Sequence, residues 1–421
     1  MGIALKIKAV EQCRICGNHD LMPIIDLGVQ ALSGRFPAAG EPDPPKAPLE
    51  VVKCNSPQKS SYCGLVQIKH SVNPEEMFSH SYGYRSGINH TMMMHLRGIV
   101  QSVQQIIDLH PGDIVLDIGS NDATLLKYYE MPGLRRIGID PAGEQFAEYY
   151  TEDIQLVNDY FSSSNYLSIS ANKRAAVVTS IAMFYDLEAP MSFVKDVKEI
   201  LDRDGIWVFE QSYLPAMLRM NSFDTICHEH LENYALKQID WMLTKSDLRI
   251  LDIDFNEING GSFRVYACHT NSALKSNHKR IDLALLNEKK LGLDSELPYK
   301  EFTKRVFRIK DQLYSLLTSE KAKGKSIYIY GASTKGNVLL QFCNIDSMSV
   351  TAAADRNPEK WGRRTPGTNI PIISEEEARK AKPDYFLVLP WHFRREFMQR
   401  EADFLARGGK FIFPLPEIEM V

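Results

Sequence analysis

The sequence predicts an α/β protein in three parts. A small cysteine-rich unit spans residues 1–75 and a Rossmann-like unit spans 76–270. A helical connector then leads into a second Rossmann-like unit at 271–421. Three observations predict this. Four cysteines fall early, at 13, 16, 54 and 63. Two separate stretches, Ile114-Val-Leu-Asp-Ile-Gly119 and Ile327-Tyr-Ile-Tyr-Gly331, each run a short apolar strand into a glycine turn and a helix start. And 421 residues exceed what one core supports.

Composition narrows the function classes. At 44% apolar and 24% charged residues the chain is an ordinary soluble protein, and its net charge of -4 leaves no electrostatic footprint for nucleic acid. No apolar run is long enough for a membrane helix, and the first residues lack the apolar core of a signal peptide. Seven cysteines, odd in number and partly clustered, point to a reducing cytoplasm and a metal site rather than disulfides. A cytoplasmic monomer or weak homo-oligomer is expected.

In the first unit, the Cys13-Arg-Ile-Cys16 knuckle lets two thiolates converge on one tetrahedral ion, with Cys54 and Cys63 available to complete a structural Zn2+ site. The intervening Pro-rich segment, 38–48, has little with which to build a core without the metal. Next, Tyr82-Gly-Tyr84 precedes a helical stretch at 90–109, where it is expected to line a pocket.

The middle unit opens on Asp117-Ile-Gly119-Ser120-Asn121-Asp122, and about twenty residues later a second strand ends at Asp140. Gly119 allows backbone to approach a ligand closely, and Asp140 suits a ribose diol. A dinucleotide-binding turn would carry three glycines and no acid beside the phosphates. One glycine with Asp117 and Asp122 suits a cationic donor without phosphate, so S-adenosylmethionine is expected over NAD. Asp159, Tyr160 and Phe161 should meet the adenine, and Ser180 the methyl group. A strand ending at Glu210 then leads to Asn221-Ser-Phe-Asp-Thr-Ile-Cys-His228-Glu229-His230. This triplet is the candidate for proton chemistry beside the methyl donor. If the segment is extended, alternate residues share a face, so His228 and His230 point into one pocket and Glu229 away. The zinc-protease spacing is not met, because the two histidines are two apart rather than four. Arg264, after a Gly-Gly turn, is expected as an anion ligand.

In the last unit, Gly331-Ala-Ser333-Thr334-Lys335-Gly336-Asn337 offers backbone N–H groups, hydroxyls, a cation and a helix N-terminus, which together suit a diphosphate. Arg356 and Gly367 lie in donor-rich loops after later strands and are expected to contact the same ligand. Between the Rossmann-like units, Phe302, Val306, Ile309 and Leu313 form a helical stripe that must pack on a neighbour.

Taken together and in this order, the knuckle with Cys63-Gly-Leu-Val-Gln67, the Leu-Asp-Ile-Gly-Ser-Asn-Asp turn, Phe-Asp-Thr-Ile-x-His-Glu-His, Gly-Gly-Ser-x-Arg and Gly-Ala-x-x-Lys-Gly-Asn resemble the sugar C-methyltransferases that act on nucleotide-linked 4-keto-6-deoxyhexoses. The resemblance spans nearly the whole chain. It implies a zinc unit, an S-adenosylmethionine unit and a nucleotide-sugar unit, with dTDP or GDP as the nucleotide. It implies that His230 removes the C3 proton, that His228 is a donor, and that Tyr82 or Tyr84 meets the enolate oxygen or the sugar. Two positions depart from the pattern: Cys227 stands where the antibiotic-sugar members carry Tyr, and 180–185 lacks their His. The rival expectations are a nicotinamide-dependent sugar oxidoreductase and a zinc-containing nucleotide-sugar binding protein without activity.

Overall fold

The computed structural model describes residues 7–55, 62–73, 77 and 85–421. Its centre is a seven-stranded sheet. Numbered by appearance within that sheet, the strands Ile114–Ile118, Arg135–Ile139, Ile154–Val157, Ala175–Ile181, Leu201–Ser212, Leu248–Asn256 and Ser262–His269 lie in the order 3-2-1-4-5-7-6. The first five are parallel, and the seventh is inserted antiparallel beside the fifth. The two central parallel strands, Ile114–Ile118 and Ala175–Ile181, are buried on both faces, which is why they read as near-continuous apolar runs rather than alternating ones. The strand order reverses between the first and fourth strands, so their carboxyl ends open onto a crevice.

The C-terminal sheet repeats the theme with six strands, Ile327–Tyr330, Ala353–Asp355, Ile372–Ser374, Tyr385–Val388, Lys410–Phe413 and Glu419–Met420, in the order 3-2-1-4-5-6. Only the last is antiparallel. Two helices, His278–Lys290 and Leu297–Ala322, join the sheets. Phe302, Val306, Ile309 and Leu313 are all buried, as their spacing requires, and each contributes about 1.5–3 kcal/mol by leaving water.

The N-terminal unit is an antiparallel sheet of Leu21–Ala31, Lys46–Cys54 and Val66–Ile68. Its fourth strand is Glu232–Asn233, the residues just after the His-Glu-His triplet. Arg14, inside the cysteine knuckle, locks this arrangement. Its guanidinium donates to the Ile68 carbonyl at 2.8 Å and to Ser71 Oγ at 2.8 Å, and lies 3.6 Å from Glu232. Among the described residues no helix is long and apolar enough to cross a membrane.

Candidate active site

The four sulfurs of Cys13, Cys16, Cys54 and Cys63 lie within 4.8 Å of one another, the closest pairs at 3.4–3.5 Å. Four thiolates each about 2.3 Å from one tetrahedral zinc would be about 3.8 Å apart, so a small outward adjustment admits the ion. Three of the four are buried.

The principal cavity, about 600 Å³, opens over the crevice of the central sheet and is walled by all three parts of the chain. Its floor is the Asp117–Asn121 turn with Asp140. Gly119 has φ +73°, and a Cβ there would press on Met183. Asp140 accepts from the backbone N–H of Asn121 at 2.7 Å and of Ala142 at 2.8 Å, so both oxygens are fixed in place. Asp117 accepts from the Thr179 hydroxyl at 2.6 Å. Burial pushes its carboxyl up to about 7 against that hydrogen bond.

The triplet forms one side wall. After helix Leu214–Met220, Asn221 adopts a left-handed conformation (φ +51°) and a short 3-10 turn runs Phe223–Thr225. Residues 227–230 then make a second turn, closed by the His230 N–H to the Cys227 carbonyl at 3.1 Å. His230 Nδ1 lies 2.7 Å from the Thr225 carbonyl. A carbonyl only accepts, so Nδ1 carries the proton and Nε2 keeps its lone pair. The ring packs on Tyr185 at 4.3 Å. Burial, then the Lys335 charge, pulls the imidazole down to about 3, which keeps it neutral. Beside it, burial pushes Glu229 up to about 7. Gly34 of the N-terminal unit packs so closely on this carboxylate that a Cβ would collide with it.

The opposite wall comes from the C-terminal unit: Ser333, Thr334, Lys335, Lys360 and His392. Ser333 caps helix Thr334–Phe342 by accepting from the Gly336 N–H at 3.0 Å. The Lys335 ammonium is buried and has no hydrogen-bond partner among the described residues.

Comparison with known proteins agrees with this architecture. Residues 257–416 match the family described as "C-methyltransferase C-terminal domain", and residues 13–78 match one described as "Putative zinc binding domain". C-methyltransferase NovU of Streptomyces niveus is 30% identical over 422 residues, covering 99% of this chain and 98% of that protein. The chain belongs to the C-methyltransferase family. The Cys13, Cys16, Cys54 and Cys63 cluster is its zinc site. Solved structures are more distant. The plantazolicin methyltransferase BpumL is 13% identical over 47% of this chain and 91% of its own, with a TM-score of 0.37. The CcbJ methyltransferase of Streptomyces caelestis is 12% identical over 41% of this chain and 89% of its own, with a TM-score of 0.32. Likenesses this weak add nothing to the family assignment.

Within this methyltransferase the expected residues divide. Asp117, Gly119, Ser120, Asn121, Asp140, Tyr160, Phe161, Glu229, His230, Ser333, Thr334 and Lys335 line one cavity. Tyr82 and Tyr84 lie outside the described residues. Several others need correction. His228 does not share a face with His230: its Nε2 donates to the Ala47 carbonyl of the zinc unit at 3.1 Å, and Glu229 enters the cavity instead. The strand-alternation argument fails because 227–230 is a turn. Ser180 points to the other face of its strand and accepts from the Trp207 indole at 2.9 Å. Arg264 is no free anion ligand. It sits opposite Glu210 in the ladder and pairs with it at 2.9 Å, because two buried opposite charges at facing positions neutralise each other.

Asp122 turns from the cavity to accept from the Gly87 N–H and the Thr124 hydroxyl. Asp159 accepts from its neighbour Tyr160 N–H and from Asn165 at the surface. Asn337 donates to the Ser33 carbonyl at 2.8 Å, and Gly336 packs on Leu389, so both hold the C-terminal helix in place. Arg356 is exposed between Glu375 and Glu396. The Gly367 N–H donates to Asp43, inside the Pro-rich segment.

Sequence reasoning missed Glu210, Lys360, His392 and Asp224 as cavity residues. Glu210, an acid at the carboxyl end of a central strand, carried a usable signal. It is saturated by His95 at 2.5 Å, Asn256 at 3.0 Å and Arg264. Burial raises its carboxyl, but these partners outweigh burial and hold it below the ordinary glutamate value.

Proposed function

We propose that this protein transfers the methyl group of S-adenosylmethionine to C3 of a nucleotide-linked 4-keto-6-deoxyhexose, with His230 as the base. The observation that carries the proposal is the Thr225 carbonyl on His230 Nδ1, which leaves Nε2 as a lone-pair acceptor in a cavity between an acidic floor and a basic wall. The floor fits the donor: Asp140 is preset for a ribose diol and Asp117 suits a cation. The central strand order, with an antiparallel strand inserted at one edge, also departs from the dinucleotide-binding arrangement, which favours this donor over NAD. S-Adenosylmethionine, when bound, supplies an electrophilic methyl on sulfur.

The chain's residues do the rest. His230 Nε2 accepts the C3 proton, and the C–H electron pair passes into the C3–C4 bond while the ketone pair moves onto the C4 oxygen. Thr225 holds the imidazolium in position. As the enolate reforms its ketone, the new C3–methyl bond forms and the sulfur–methyl pair returns to sulfur. Ser333, Thr334 and Lys335 anchor the diphosphate, whose charge offsets Lys335 and so relieves the main electrostatic opposition to a protonated His230. With divisions at about residues 75 and 270, the three units serve in turn as zinc scaffold, donor site and sugar-nucleotide site.

The test is incubation with S-adenosylmethionine and dTDP- or GDP-linked 4-keto-6-deoxyhexoses, which should add 14 Da to one of them. His230→Asn should lower turnover by about 10²–10⁴-fold and abolish C3–H exchange in deuterated water. Full exchange in that variant would remove His230 as the base.

A further inference from the structure

Asp224 belongs to the turn that supplies the Thr225 carbonyl, yet its side chain takes no part in the proton transfer. It is only 2% exposed. Its Oδ2 accepts from the Trp391 indole N–H at 2.9 Å, which clasps the turn to the C-terminal unit. Its Oδ1 is buried with no hydrogen-bond partner among the described residues. Asp224 lines the same cavity as Lys335, whose ammonium is also buried without a partner. The two opposite charges feel each other but make no ion pair among the described residues. Buried acceptors and donors are nearly always satisfied. Here a buried carboxylate oxygen and a buried ammonium share one cavity and leave each other unsatisfied.

A ligand that satisfies both must present a hydroxyl donor close to an anionic oxygen. In a glycosyl diphosphate that is the hydroxyl on C2, the carbon next to the phosphate-bearing one. We infer that Asp224 Oδ1 accepts a hydrogen bond from the sugar's C2 hydroxyl while Lys335 holds the adjacent phosphate, making Asp224 the residue that distinguishes 2-hydroxy from 2-deoxy sugars. This rests on the nucleotide-sugar function proposed above. Trp391 fixes Oδ2 so that Oδ1 is presented in one orientation. Burial raises the Asp224 carboxyl above its ordinary value, opposed by Lys335, the Trp391 indole and the nearby backbone N–H groups.

The experiment is calorimetric titration of the full chain with dTDP, GDP and their 4-keto-6-deoxyhexose conjugates, each sugar in 2-hydroxy and 2-deoxy form. Wild type should prefer the 2-hydroxy sugar by about tenfold or more, the usual worth of a hydrogen bond to a charged acceptor. Asp224→Asn keeps an acceptor for Trp391 but turns a donor toward the sugar. It should bind both sugars with equal, reduced affinity and the nucleoside diphosphate alone as wild type does. A preference that survives in Asp224→Asn, or an equal loss for the nucleoside diphosphate, overturns the inference. Should that variant not fold, the wild-type comparison decides: equal affinity for the two sugars sinks the assignment. If wild type binds no sugar nucleotide of either series, the proposed substrate class itself fails, a result seen before any variant is made.

Discussion

Glu229 offers the sharpest test of the electrostatics at the triplet. Its carboxyl is pressed against Gly34, the Cys227 thiol donates to it at 3.9 Å, and burial moves it from 4.5 to about 7. At about 1.4 kcal/mol per tenfold change in proton affinity, that shift is worth about 3 kcal/mol. The sign follows from the direction. The folded chain favours the protonated acid, so the associated stability is present below pH 4.5 and is lost as pH rises through 7. Glu229→Gln cannot ionise and keeps it. The variant should therefore be more stable than wild type by about 3 kcal/mol at pH 8 and by less than about 1 kcal/mol at pH 5. With about 2.1 cal/mol/K per residue, unfolding of 421 residues as one unit turns 3 kcal/mol into about 3 °C in Tm. A central unit that melts separately gives a larger shift. Thermal denaturation of both proteins at the two pH values reads the difference directly. Groups that do not feel Glu229 cancel, while Asp186 and Cys227, each raised in part by its charge, are relieved in the variant and act in the same direction. Equal Tm differences at pH 5 and pH 8 would refute the reasoning, and so would a variant less stable at pH 8. Activity is expected to fall in the same variant, because the carboxylate wall beside His230 is gone.

The remaining predictions concern the two flanking units. Stripping the metal with a chelator, or Cys63→Ser, should remove the bound zinc, lower Tm and abolish turnover, measured by metal analysis beside the methylation assay. The loss of activity follows because the Arg14 knuckle holds the strand that comes directly after the triplet. Retained activity in metal-free protein would contradict that coupling. Lys335→Met should weaken nucleoside diphosphate binding by about 10–100-fold, the worth of one charge-assisted hydrogen bond, and leave S-adenosylmethionine affinity unchanged in titration. A parallel loss for both ligands would mean that Lys335 only supports the fold.

What the sequence could and could not reveal follows from the range over which each feature is determined. The cysteine knuckle and the Asp117–Asp122 turn are local. A few adjacent residues set their geometry, and the thiolates and Gly119 stand where spacing placed them. The stripe on helix Leu297–Ala322 was legible because periodicity is a property of the segment alone. Strand register is not local. Arg264 faces Glu210 only because two distant strands pair in one register, and nothing in Gly-Gly-Ser-Phe-Arg encodes that. Gly34, Glu210, Lys360 and His392 reach the cavity by tertiary packing, from chain positions as far apart as 34 and 392. His228 was misplaced for another reason: alternation assumed a strand where Cys227–His230 forms a turn, and a turn reverses which neighbours share a side.

That turn explains why a triplet rather than a lone histidine occupies this point. Each member is held from a different direction. His228 donates to Ala47 in the zinc unit, and Glu229 fills the space that Gly34 leaves for it. His230 is oriented by Thr225, whose own turn is clasped through Asp224 to Trp391 of the C-terminal unit. The proposed base is thus positioned by contacts to both flanking units, while the floor beneath it belongs to the central sheet. A histidine whose ring is fixed from its own backbone, with Nε2 left unencumbered, needs no reorganisation when the proton moves, and preorganisation of that kind lowers barriers without further binding energy. Loosening either flanking contact would misplace the proposed base. Damage to the zinc site or to the Asp224 clasp should therefore cost turnover well before it costs the central sheet.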